Sequence, residues 1–292
     1  MNEILDINII FFFIGVLLLV TLFYIRYQEK NFLSSSFFLI LLSYLQGLLI
    51  SLCFSQQDFF TLFTYWIVFG VLYYLTIPKI CFILILSVMN LINRKDKSEE
   101  NFDNDRIIDF IVNEAHIPRE IIEIKYYGSE NFENAFRQYS VKKIKIFLGR
   151  GFKKLNFDEL LFVISHEVGH TRIEKRSYLR FFGFGIFFII MCEIISLVLP
   201  VTGVLTIYSF FFITLILYLV GIMGFNYIFW SIEFDADKFA IELIKNHIGA
   251  DSFLLRYRKT QKDFYTIINL LLYDHPSINE RLSRVKMYGR NP

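Results

Sequence analysis

The sequence predicts a mainly α-helical integral membrane protein with a small antiparallel β-sheet in an α+β domain on the cytoplasmic side. Three observations lead there. Hydrophobic residues make up 55% of the chain and its mean hydropathy is +0.47, too apolar for an ordinary soluble domain. The apolar residues fall in blocks close to the roughly 20 residues that cross a bilayer as a helix. Lysine and arginine gather on one side of those blocks.

Residues 8–25 and 36–54 are the first two blocks, and residues 59–92 form a longer third, interrupted by Pro78 and Lys79. The third is taken as one long helix whose end protrudes from the membrane. Residues 181–199 and 205–230 form a later pair, joined by a short turn near Pro200 and Gly203. Buried helices of soluble domains rarely stay apolar for so long. The flank before the first block, Met1 to Asp6, carries Glu3 and Asp6 and no basic residue, and no small-residue cleavage site follows. The block therefore reads as a retained anchor and not as a cleaved signal peptide.

The basic residues set the orientation. Arg26 and Lys30 follow the first block, and Arg94, Lys95 and Lys97 follow the third. Arg172, Lys175, Arg176 and Arg180 precede the fourth, and Lys238 and Lys245 follow the fifth. The connections at Ser55–Asp58 and near Pro200 carry none. An outside N-terminus, five spans and two cytoplasmic polar regions satisfy all of these. The expected organisation is a membrane region at 1–93, a cytoplasmic part at 94–180, a transmembrane hairpin at 181–230 and a helical C-terminal part at 231–292.

Residues 94–106 read as a charged linker, and 105–115 as a short amphipathic helix ending before Pro118. Ile121–Tyr127 and Val141–Leu148 are rich in Ile, Val, Tyr and Phe with partial alternation, so they read as strands. Asn134-Ala135-Phe136 lies between them. Asn156 with Glu159 three residues later is a capping-box signal for a helix start. Leu160, Leu161, Val163 and Ile164 then supply an apolar face.

That helix carries the most informative string in the chain, His166-Glu167-Val168-Gly169-His170. Histidines four apart project from one helical face and can share one Zn²⁺ ion, while Glu167 is placed as a general base toward an activated water. The chain has only five histidines, so chance is a poor account of the spacing. A catalytic zinc needs a third protein ligand and an open position. Glu193 lies too deep in the fourth block; it reads as a protonated carboxyl bonded to a polar neighbour such as Gln46. His247 reads as a surface residue. The best string is Glu233-Phe234-Asp235-Ala236-Asp237, which the hairpin returns to the side that the His166 helix left. Glu233 and Asp237 are one turn apart, which suits Glu233 as ligand and Asp237 as the carboxylate that orients a ligating histidine. Further on, Pro276 favours a helix start, and Arg281 or His275 is a candidate to steady the oxyanion.

Other chemistries find less support. A net charge of +2 leaves no nucleic-acid footprint. Cys53, Cys81 and Cys192 all lie in apolar blocks and read as buried thiols.

Taken together, the His166–His170 string, Glu233 with Asp237 after a membrane hairpin, and His275-Pro276 with Arg281 resemble the HtpX-like membrane metallopeptidases. These stand beside the CaaX prenyl endopeptidases among the gluzincins. Asn134-Ala135-Phe136 is similar to that family's Asn-Ala-Phe-Ala edge strand, and Phe147-Leu148-Gly149 to its strand end before the zinc helix. The resemblance covers residues 105–287. It implies a zincin-like domain, one Zn²⁺ per chain on His166, His170 and Glu233, Glu167 as base, and substrate backbone bound along Asn134, Ala135 and Phe136. Arg137 departs from the pattern, where a small residue is usual, and so does the third N-terminal block.

The expected function is a zinc-dependent endopeptidase, multi-pass in the cell membrane, with its site facing the cytoplasm. Its expected partners are the lipid bilayer and a polypeptide substrate, a membrane protein or its cytoplasmic tail, as in protein quality control. The alternatives are a CaaX-type prenyl-protein protease, and a membrane sensor-transducer that uses its zinc domain with little proteolysis.

Overall fold

The computed structural model describes residues 40–45, 66–72, 74, 102–127, 133, 135–140, 143–201, 207–258 and 266–290. The expected first span, 8–25, lies outside the described residues, and so does most of the second and third. The described residues fall in two compact units, and two long helices contribute to both.

The first unit includes Arg180–Asn226 and Leu270–Leu272 with the helical stretches at 40–45 and 66–72. Its polar groups bond inward. Tyr218 donates to the Ile40 carbonyl at 2.9 Å, and Trp66 Nε1 to the Tyr44 carbonyl at 2.8 Å. Aromatic rings fill the remaining space: Phe184 packs edge-on against Phe225, with centroids 4.9 Å apart. A Cβ on Gly224 would run into the Phe184 ring, so a side chain there would displace it. Glu193 is exposed on its helix; Gln46, its expected partner, lies outside the described residues.

The second unit is built from helices around a three-stranded sheet. Helix α1 (Phe102–Ala115) begins earlier than the expected 105 and places Ile107, Ile108 and Ile111 in the core. It ends where His116 takes a positive φ of 53°, a left-handed residue that stops helix propagation. The strands are β1 (Ile122–Tyr127), β2 (Ala135–Ser140) and β3 (Lys143–Gly149), in the order β1-β3-β2. The sheet corrects the antiparallel expectation. β1 runs parallel to β3, with Ile122 opposite Ile144 and Tyr126 opposite Leu148; β2 alone runs antiparallel to β3. Alternation along β3 buries Ile144, Ile146 and Leu148 on one face.

A 3₁₀ turn, Arg150–Lys154, leads into α2 (Phe157–Val201), which runs unbroken through the His166–His170 string into the apolar block. Its start is the expected capping box. Glu159 N–H donates to Asn156 Oδ1 at 2.9 Å, and Asn156 N–H to Glu159 Oε2 at 3.1 Å. Glu159 is almost fully buried and also accepts from Ser252 and from Arg256 at 2.8 Å. It thereby ties α4 (Ile248–Arg258) to the first turn of α2. Helix α3 (Ile207–Ile244) ends at Lys245, again with positive φ. The first four residues of a short helix α5 (Thr266–Leu272), whose last three belong to the first unit, and the C-terminal α6 (Ile278–Arg290) complete the unit, with α6 opened by a reciprocal Ser277–Glu280 cap.

Candidate metal centre

Residues 160–169 of α2 are all buried, so this stretch is enclosed on every side, and His166 and His170, four apart on one face, meet Glu233 of α3. Gly169 sets the approach. A Cβ there would stand 3.0 Å from Phe239 Cδ1 and 3.1 Å from the Ala236 carbonyl, so the helices cross at a point where only hydrogen fits comfortably. Three residues before Ala236 on α3, Glu233 reaches the two histidines.

The three expected ligands lie in a tight triangle. His166 Nε2 and His170 Nε2 are 3.1 Å apart, and each is 3.3 Å from an oxygen of Glu233. Donor atoms about 2.0–2.1 Å from a common tetrahedral centre stand about 3.3 Å from one another, so the set has the dimensions and the chemistry of a zinc site. All three side chains are largely buried.

Behind the triangle stands a second layer. His166 Nδ1 donates to Asp237 Oδ1 at 2.8 Å, which fixes the tautomer and leaves Nε2 directed into the triangle. Asp237 is fully buried and takes two more bonds from Arg281, Nε to Oδ2 at 2.8 Å and Nη2 to Oδ1 at 2.6 Å. Burial disfavours the charged form of His166, but hydrogen bonds and charge from Asp237 and Glu233 outweigh it and push its pKa up to about 10.

The remaining expected residues are placed as follows. The Glu167 side chain is buried, next to His166 on α2. His275 is largely exposed, with Nδ1 2.9 Å from Asp274 and Nε2 3.7 Å from Glu233. Arg281, considered for the oxyanion, instead engages Asp237 with two of its nitrogens. Ala135 and Phe136 open the edge strand β2; Asn134 lies outside the described residues. His247 is partly exposed, 3.9 Å from Asp251, and stays apart from the centre. Sequence reasoning missed two contributors. The helix crossing at Gly169 had no sequence signal beyond the glycine itself. The stacking of Arg284 on Phe234, 3.7 Å from its ring centroid, joins residues 50 positions apart.

The family model for peptidase family M48 matches residues 98–288. The chain belongs to peptidase family M48. Members of this family are zinc-dependent metallopeptidases, so the protein is a peptide-bond hydrolase. The match runs from the residues before α1 to the penultimate turns of α6 and so takes in every part of the centre described above. A search of curated proteins found no match.

Proposed function

We propose that this M48 peptidase is a zinc-dependent endopeptidase of the cell membrane that cleaves membrane or membrane-associated proteins at the cytoplasmic face, in HtpX-like quality control. The observation that carries the chemistry is the His166–His170–Glu233 triangle with Glu167 beside it on the same helix. His166, His170 and Glu233 would hold a Zn²⁺ ion, which would supply Lewis acidity for the hydrolysis. Glu167 accepts the proton of the attacking water and delivers it to the leaving amine. Asp237 holds His166 in its ligating tautomer, and Arg281 holds Asp237. His275, at the exposed rim, is the group we assign to the oxyanion. Substrate adds as a further strand along β2, the edge of the sheet.

The membrane reading is supported by two helices long and apolar enough to span, Arg176–Val198 and Phe212–Ile244. The core helix of a soluble protein also meets that test but buries its apolar surface. Here only 17% of the first helix's most apolar window is buried. The basic residues at Arg172, Arg176 and Arg180 favour the cytoplasmic side. The test is incubation of the purified full-length protein with membrane-protein substrates. Cleavage should stop with a chelator and return with added Zn²⁺. Cleavage indifferent to chelation would defeat the reading.

A further inference from the structure

Helix α5, Thr266–Leu272, contains no charged residue. Its Asn269 and Leu272 are buried, whereas the adjacent Ile267 and Ile268 are 69% and 39% exposed. Two exposed apolar side chains side by side mark a surface that gains by being covered.

The hydrogen bonds around α5 indicate what covers it. Asn226 Nδ2 donates to the Leu270 carbonyl at 2.8 Å, and Trp230 Nε1 donates to the Tyr273 carbonyl at 3.0 Å. Asn226 and Trp230 are one turn apart at the end of the apolar block 205–230. Tyr227, between them, is 66% exposed. Trp230 is buried, and the exposed Tyr227 is of the residue type that collects at the boundary between hydrocarbon and headgroups. The segment carrying Ile267 is thus tied beside the residue that marks that boundary.

We infer that α5 is an interfacial anchor whose Ile267 and Ile268 enter the headgroup–acyl boundary of the cytoplasmic leaflet; this rests on the membrane reading proposed above. The occupant is lipid because the tie points lie at the end of the apolar block 205–230, beside the exposed Tyr227. The anchor also bears on the metal centre. His275 follows α5 directly and stands 3.7 Å from Glu233, so lipid that seats α5 steadies the segment presenting His275.

The experiment uses the full-length protein in liposomes, with Cys53, Cys81 and Cys192 replaced by alanine. Single cysteines at Ile267→Cys, Ile186→Cys and Ser283→Cys are labelled with an environment-sensitive fluorophore. Ile186 is exposed within the apolar helix, and Ser283 is exposed on α6. The inference predicts that a lipid-borne quencher acts on the 186 and 267 labels, and aqueous iodide on the 283 label. If 186 is quenched from lipid while 267 responds only to iodide, the anchor is wrong and the membrane reading survives. If 267 is shielded from both quenchers, a protein surface such as a second copy covers it, and the inference is overturned. If 186 itself responds only to iodide, the membrane reading fails and takes the anchor with it.

Discussion

Arg281 grips Asp237 with two nitrogens, Nη2 at 2.6 Å and Nε at 2.8 Å, and the Asp237 oxygen nearest Nη2 also accepts from His166 Nδ1 at 2.8 Å. A cation on the C-terminal helix is thereby linked to His166, a proposed metal ligand, through one buried carboxylate. The planar fork of arginine matches both oxygens at once, which a lysine ammonium does not.

Arg281→Ala leaves Asp237 buried without its counter-charge and loosens His166. Groups behind a metal ligand usually contribute about 10–100-fold in affinity, and a loss in that range is expected. Competition of the purified variant against a zinc chelator measures it. Arg281→Lys should recover part of the loss. Unchanged affinity in both would detach Arg281 from the centre.

Glu233→Ala and Asp237→Ala should differ in order. Removal of a ligand costs more zinc than removal of the group that orients one, so metal content by elemental analysis should fall further for Glu233→Ala. The reverse order, or full zinc in both, would mean that Glu233 is not the third ligand.

Gly169→Ala adds one methyl group at a crossing where the Ala236 carbonyl is 3.1 Å from the new carbon. Backbone cannot retreat as a flexible side chain can, so overpacking of about 1–3 kcal/mol is expected, with Glu233 displaced from the histidines. Thermal unfolding and zinc affinity should both fall. A variant with wild-type stability and affinity would show that the helices tolerate a wider crossing.

The sequence displays local chemistry well and long-range pairing poorly. The Asn156–Glu159 cap was legible because its partners are three residues apart and their geometry is dictated by the helix itself. The two histidines were legible for the same reason, and Glu233 with Asp237 shared a helical spacing that marked them as a unit. The sheet was not. Alternation shows that a segment is a strand and which face is apolar, but not its direction relative to a partner, and β1 proved parallel to β3. Arg281 was singled out, but nothing local tells that its partner is Asp237, 44 residues away.

The topology has its own test. Cysteines introduced near Lys97, Lys175 and Lys245 should resist an impermeant thiol reagent in intact cells and react after lysis; one near Thr202 should react without lysis. The basic residues at both ends of the 181–230 segment require this pattern. Positions 175 and 245 on opposite sides would be incompatible with a metal centre that draws ligands from both helices.

The central claim is that Glu167 acts as the base beside a centre held by three other residues, and Glu167→Gln tests it most directly. The account predicts that the purified variant keeps about one zinc per chain, because His166, His170 and Glu233 are untouched, and that its peptide cleavage falls by at least about 10²–10⁴-fold. Turnover at the wild-type rate with zinc still bound would contradict it.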